Sequence, residues 1–185
     1  MAVAGKIIKE SVKILIAASI ISSIGGIGFE ALKLKIAALV PLVIMLPALN
    51  DMIGDFGTII SAKFTHLLYL KKIHKSWWKS SELGDQFRII ASIALFAAFY
   101  LGIVSVIIAY FQGALITAVE ALKVIAVAFM STATLVLVIF FLSIIGGLWV
   151  YKRGGDPNNF LIPITTSIAD FSSLILFSLM VAFLF

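Results

Sequence analysis

Along its hydrophobic and polar positions the chain reads as long apolar runs separated by short charged stretches. Five of these runs are long enough, or nearly so, to cross ~30 Å of hydrocarbon at ~20 residues each. They fall near 11–30, 35–62, 87–111, 123–151 and 160–185, which predicts an all-α bundle of five transmembrane helices in a single domain, 1–185. The first run is the weakest, because its uncharged core extends only from Ile14 to Phe29. With Lys6 and Lys9 ahead of it and SSIGG behind, it also has the outline of a signal peptide. The second run continues with its flank from Ile36 to Leu70, punctuated only by Pro41, Pro47 and Gly54. At ~1.5 Å per residue that is ~50 Å, too long for one straight span. The helix must continue into the cytoplasm, bend at Pro47 where a helix hydrogen bond is missing, or do both.

Composition agrees with the pattern. Hydrophobic residues make up 62% and charged residues 12%, and mean hydropathy is +1.18, which is the balance of an integral membrane protein. The absence of cysteine excludes disulfides, thiolate metal sites and cysteine nucleophiles. A pI near 9.5 does not argue for nucleic acid here, because the basic residues flank the apolar runs and orient them in the bilayer. With the N-terminus inside and five spans, eleven of the 14 Lys and Arg fall on the inner side: Lys6, Lys9, Lys13, Lys63, Lys71, Lys72, Lys75, Lys79, Arg88, Lys152 and Arg153. Only Lys33, Lys35 and Lys123 fall outside, so a multi-pass protein of the cell membrane is expected, with a cytoplasmic N-terminus and an external C-terminus.

The stretch HLLYLKKIHKSWWKSSELGDQFR, 66–88, interleaves basic residues with Trp77 and Trp78. It reads as a cytoplasmic loop whose aromatic rings rest at the headgroups and whose lysines face anionic lipid. His66 and His74, eight positions apart, do not read as paired metal ligands. No GxGxxG, Walker loop, HExxH or GxSxG occurs, so neither an enzyme nor a nucleotide-driven pump is indicated, and nucleotide-driven transport would need a separate chain.

Candidate chemistry lies in the apolar runs themselves. Asp51 and Asp55 sit in the second and Asp170 in the fifth, and IGDF at 53–56 is nearly repeated as IADF at 168–171. A central Asp costs ~2.5–3.5 kcal/mol on insertion scales, so it normally faces a partner or a water-filled path. Lys63, two turns beyond Asp55, is the nearest basic neutraliser, and the fifth run holds no Lys or Arg. Asp170 must therefore be protonated, paired with another helix, or poised for a cation. Its neighbours favour the cation. Pro163, Thr166, Ser167, Asp170 and Ser173 share a helical face, and Asn50, Asp51, Gly54, Asp55, Thr58 and Ser61 form a corresponding stripe. Pro47 and Gly54 expose backbone carbonyls beside that stripe. Oxygen-only ligands suit hard cations, Mg2+ or Ca2+ before zinc or copper, and a mostly hydrated Mg2+ needs only one or two carboxylates. For the Ser and Thr residues alone, helix–helix hydrogen bonding is the simpler reading, whereas a lone carboxylate makes poor glue.

Two stretches resemble the membrane domain of MgtE-type magnesium transporters. In GFEALKLKIAALVPLVIMLPALNDMIGDFGT the family's order is matched by Phe29-Glu30, Pro41 and Gly54-Asp55-Phe56-Gly57-Thr58. In GGDPNNFLIPITTSIADFSSL it is matched by Asp156-Pro157, Pro163, Thr165-Thr166 and Asp170. The resemblance implies a five-helix domain that dimerises around a central cation pore, with Asp170 as the main ion ligand. It also keeps the first run as a span, because Phe29-Glu30 lies at its end. Asp51, Asp55, Asn50 and Thr166 join Asp170 as candidate metal-binding residues. Gly54, Thr58, Pro163, Thr165, Ser167 and Ser173 join as candidate pathway residues. Two departures stand out: Asp55 replaces the family's turn asparagine, and Met1 to Ser11 cannot replace the family's N-terminal cytoplasmic sensor, which leaves a separate regulatory chain as an open question.

Two other readings compete. An intramembrane aspartyl protease also needs two carboxyls sharing a proton. Its glycine-x-glycine-aspartate would require Gly where Met52 stands, however, and PAL at 47–49 precedes the aspartate instead of following it. A non-transporting membrane scaffold is the other. The orientation itself is directly testable, because the chain has no native cysteine: single cysteines at Ser76 and Asn158 should both react only from the cytoplasmic side. Reaction of either with an impermeant reagent from outside would refute the five-span topology.

Overall fold

A computed structural model of the chain describes residues 2–30, 33–73 and 77–185, with side chains described for all of these except 2–11, 28, 29 and 78. The expectations for His74, Lys75 and Ser76, and for the side chains of Lys6, Lys9, Phe29 and Trp78, lie outside the described residues. Among the described residues the fold is helical throughout, without strands. In chain order the helices are α1 (Ala2–Glu30), α2 (Lys33–Ala37), α3 (Val40–Tyr69), α4 (Ser81–Phe111), α5 (Ala118–Lys152) and α6 (Pro157–Leu184). A 3₁₀ turn, Trp77–Lys79, precedes α4.

Four of these, α3 to α6, are long and apolar enough to cross a membrane; in α1 the apolar stretch is shorter, Val12–Ile27. The run expected at 35–62 is not one helix. It breaks at Ala38-Leu39, where Leu39 leaves the helical region at φ −112°, ψ 87°. Pro41 has no N–H to bond back to the Ala37 carbonyl, so α2 cannot run on through it, and the chain restarts with that proline in the first turn of α3. From there α3 runs 30 residues, ~45 Å, without ending at Pro47. The missing N–H of Pro47 leaves the Val43 carbonyl without its helical partner, and Pro163 does the same to Asn159 in α6.

Local chemistry fixes the helix starts. The Ser80 hydroxyl accepts from the Leu83 N–H at 3.3 Å, and Asp156 accepts from the Asn158 N–H at 3.0 Å with Pro157 behind it. Before α5, Thr117 and Glu120 form a reciprocal capping box, and these backbone and hydroxyl donors hold the Glu120 carboxyl below its usual range. Gly113 and Gly154 adopt φ +84° and +73°, the left-handed geometry that turns the chain out of α4 and α5.

α3 is the central helix, packed against α4, α5 and α6, while α1 packs chiefly on α6. The core is formed by Leu42, Leu49 and Ile53 of α3 with Val127 of α5 and Phe177 of α6. The loop between α3 and α4 folds back on the bundle: Ile73 is buried and Trp77 meets Phe141 edge-on at 6.2 Å.

Close helix approach rests on a few small residues. A Cβ on Gly102 would come within 2.9 Å of the Ile125 Cα, a backbone atom that cannot rotate away. Gly102→Ala should therefore push α4 from α5 and destabilise the protein by roughly 1–3 kcal/mol. Gly84→Ala, with nothing within 4 Å, should not. Thermal unfolding in detergent compares the two; equal midpoints would mean that the α4/α5 crossing is not set by Gly102.

Candidate functional site

Where α3 crosses α6, the polar stripes meet. Asn50 bonds to Asp170 and Ser173, and Ser61 bonds to Thr165, so residue numbers rise along α3 as they fall along α6. The helices are antiparallel, and IGDF and IADF lie at the same level, near the middle of this run of contacts. Gly54 and Ala169 are the small members of the two tetrads. A Cβ on Gly54 would sit 4.0 Å from Asp170 Oδ1, and Ala169 is fully buried. At this level each helix carries a carboxylate, and the missing side chain of Gly54 leaves room beside Asp170 Oδ1.

An open cavity of about 430 Å³ lies at this crossing. α3 lines it with Pro47, Asn50, Asp51, Gly54 and Asp55, and α6 with Thr166 and Asp170. All five candidate metal-binding residues thus share one cavity. Asp51 and Asp55 are exposed and Asp170 is half-buried. Ion pairs among the described residues are Glu30–Lys33 and Asp85–Arg88, so none of the three cavity carboxylates is neutralised by a described base. Lys63, the expected neutraliser, instead lines a narrow cleft against α4, beside Gln86 and Phe87. No three acidic or histidine side chains among the described residues converge closely enough to cage a metal. The cavity therefore offers carboxylates along its wall and not a closed coordination sphere.

Asp170 is held from two sides. Asn50 Nδ2 donates to Oδ1 at 3.0 Å, and the Ser22 hydroxyl of α1 donates to Oδ2 at 3.2 Å. A carboxylate accepts and cannot donate, so the Asn50 amide must face it with nitrogen, leaving its oxygen to accept from Ser173. The Ser173 hydroxyl also lies 3.0 Å from the Asp170 carbonyl, so its single proton serves either acceptor. Hydrogen bonds to a charged group contribute roughly 1.5–3 kcal/mol each. Two of them, roughly 3–6 kcal/mol together, offset the ~2.5–3.5 kcal/mol that a central Asp costs. Protein donors on two sides thus hold the carboxylate in position.

The remaining candidates lie off the cavity. Thr165 is fully buried, its hydroxyl 2.8 Å from the Leu161 carbonyl and 3.0 Å from Ser61 Oγ, which is itself 3.2 Å from Ser143 of α5. One proton per hydroxyl orders this as a chain: Ser143 donates to Ser61, Ser61 to Thr165, and Thr165 to the Leu161 carbonyl. It ties three helices together between the cavity and the Tyr69 end of α3. Thr58 donates to the Gly54 carbonyl at 3.3 Å, and Thr166 to that of Ile162 at 2.8 Å. Ser167 is buried and donates to the Pro163 carbonyl at 2.8 Å, on the side of α6 where Phe171 and Leu174 meet α1. The face expected to be continuous on α6 therefore divides: Thr166 and Asp170 reach the cavity, Ser173 supports Asn50, and Ser167 turns to the side that meets α1, while Thr165, a candidate outside that face, lies in the α3 interface.

Ser22 and Ser143 were not among the expected residues. The available sign for Ser22 was a serine and a glycine at i and i+3, Ser22 and Gly25, on one face of an apolar helix. A Cβ on Gly25 would lie 2.8 Å from the Phe171 Cα, so α1 reaches α6 through that glycine.

Residues 46–180 match the family model MgtE, described as divalent cation transporter. No curated protein and no solved structure matches the chain. The matched region covers α4 and α5 whole, nearly all of α3 and α6, and every residue lining the carboxylate cavity. With four membrane-capable helices and a match over most of its length, the chain is a multi-pass membrane protein and belongs to the MgtE family of divalent cation transporters.

Proposed function

We propose that the chain carries Mg2+ across the cell membrane along the cavity between α3 and α6, with Asp170 as the principal ligand. The observation that carries this reading is the cavity's charge: Asp51, Asp55 and Asp170 line one opening with no described base to neutralise them. Mg2+ parts reluctantly with its waters and binds through one or two carboxylates. Six waters at ~30 Å³ each occupy ~180 Å³, so a cavity of about 430 Å³ admits the ion with its hydration shell. Asn50 and Thr166 then meet coordinated waters, and Asp51 and Asp55 raise the local cation concentration. Ca2+ and Mn2+ compete for the same oxygens.

The functional unit in this reading is a homodimer. One chain supplies a one-sided acidic wall, and a two-fold axis beside it closes the path with a second copy of Asp170. α1 is the fifth span. Its stretch Val12–Ile27 covers ~24 Å, and thinning of the bilayer or snorkelling of its flanks accommodates the difference. The eleven-to-three division of basic residues then sets the N-terminus inside and the C-terminus outside. A transporter family also favours transport over a scaffold or a protease.

Reconstituted in liposomes, the protein should pass Mg2+, and Asp170→Asn should lower flux by roughly two orders of magnitude while remaining folded. That fall is the equivalent of the ~3 kcal/mol lost when one partner of a buried charge pair is removed. Undiminished flux in Asp170→Asn would show that the ion takes another route.

Asp55 is exposed on the cavity wall, so Asp55→Asn should retain transport, weaken one site by roughly a few-fold and shift the preference among divalent ions. Titration of both proteins with Mg2+, Ca2+ and Mn2+ measures this. Identical affinities and site counts would remove Asp55 from the path.

A further inference from the structure

We propose that α1 takes part in ion selection: Ser22 is a positioning residue that holds Asp170 so that the path favours a hydrated small cation over a larger one taking both carboxylate oxygens. The inference rests on the reading of Asp170 as an ion ligand and extends it to a helix outside the matched region, which begins at residue 46.

Serine hydroxyls inside helices usually bond back to the carbonyl four residues earlier. Ser19 and Ser23 do so, donating to the Leu15 and Ser19 carbonyls at 2.9 and 2.8 Å. Ser22, between them, donates instead across the helix interface to Asp170 Oδ2 at 3.2 Å. One turn further on, Gly25 brings the α1 backbone against Phe171, the residue after Asp170, and so fixes the distance over which Ser22 must reach. On the opposite side, Asn50 holds Oδ1 at 3.0 Å. Each carboxylate oxygen is thus tethered to a different helix.

The two tethers oppose rotation of the carboxylate. A large cation that sheds its water, such as Ca2+, gains most when both oxygens turn to it together, and that turn breaks a tether. Hydrated Mg2+ needs only one oxygen at a time, accepting from a coordinated water, and the tethered geometry supplies it. Loss of the Ser22 hydroxyl frees Oδ2 and relaxes this discrimination.

The test is calorimetric titration of the purified full chain with Mg2+ and with Ca2+, for the parent and for variants. Ser22→Ala should lower the ratio of Mg2+ to Ca2+ affinity about tenfold, the low end of the effect of one hydrogen bond to a charged acceptor. Ser22→Thr, which keeps the hydroxyl, should restore the ratio. Ser22→Cys, similar in size but a weak donor, should move it in the same direction as alanine and serves if the alanine variant does not fold. Ser19→Ala should leave it unchanged. A parental ratio in Ser22→Ala and Ser22→Cys, or an equal shift in Ser19→Ala, would overturn the role of Ser22. Asp170→Asn separates the two levels. If it abolishes binding while Ser22→Ala keeps the parental ratio, only the α1 inference falls; if it binds both ions like the parent, the reading of Asp170 falls as well.

Discussion

A carboxylate placed in hydrocarbon must be given hydrogen-bond donors by the protein, because the bilayer has none to offer. Asp170 receives them from two helices at once, Ser22 of α1 and Asn50 of α3. Much of the architecture around it follows from this requirement. For two short side chains to reach one carboxylate, three backbones must run close together, and between α1 and α6 Gly25 provides the clearance. Asn50 must present nitrogen and not oxygen to the carboxylate, and its amide oxygen is then left to accept from Ser173. The apolar helices around this point pack as any helical bundle does; the polar contacts decide which faces meet.

The same crossing explains why a small-Asp-Phe sequence occurs twice in an oily chain. α3 and α6 run antiparallel, so the two tetrads lie side by side and bring an aspartate from each helix to one cavity. Their aspartates have different surroundings. Asp170 is half-buried and doubly tethered, whereas Asp55 is exposed on the cavity wall and makes no hydrogen bond to another described residue. On the proposed reading this gives a fixed ligand and a more open one on the same path. Toward the Tyr69 end, the ordered hydroxyls of Ser143, Ser61 and Thr165 satisfy one another, so that part of the interface is filled by protein.

Much of this was legible from local pattern. The apolar runs behind α3 to α6 are long and unambiguous, and the i, i+4 spacing of Asp51 with Asp55 and of Thr166 with Asp170 places each pair on the face that lines the cavity. The break before α3 was less visible, because Pro41 suits the first turn of a helix as well as a kink within one, and the non-helical Leu39 lies two positions ahead of it. The uncharged core of α1 appeared marginal as a span, and by length and apolarity it remains short of the other four. Partners across helices were the least legible. Ser61 sits on the polar stripe of α3, yet nothing near it in sequence points to Ser143. Lys63 lies at a spacing suited to neutralise Asp55, yet it faces the α4 cleft. Ser22 could be recognised only by the company of Gly25, since its acceptor is 148 positions away. Periodicity assigns a residue to a face; which helix covers that face is settled by packing.

The central claim is that a divalent ion occupies the cavity between α3 and α6 beside Asp170. The most direct measurement is anomalous diffraction from crystals grown with Mn2+, which takes the same oxygen ligands as Mg2+ and reveals its own position. The expected result is a peak in the cavity bounded by Asn50, Gly54 and Asp170, within direct or single-water reach of the carboxylate. Well-occupied Mn2+ elsewhere in the membrane-spanning region, with no peak beside Asp170, would contradict it.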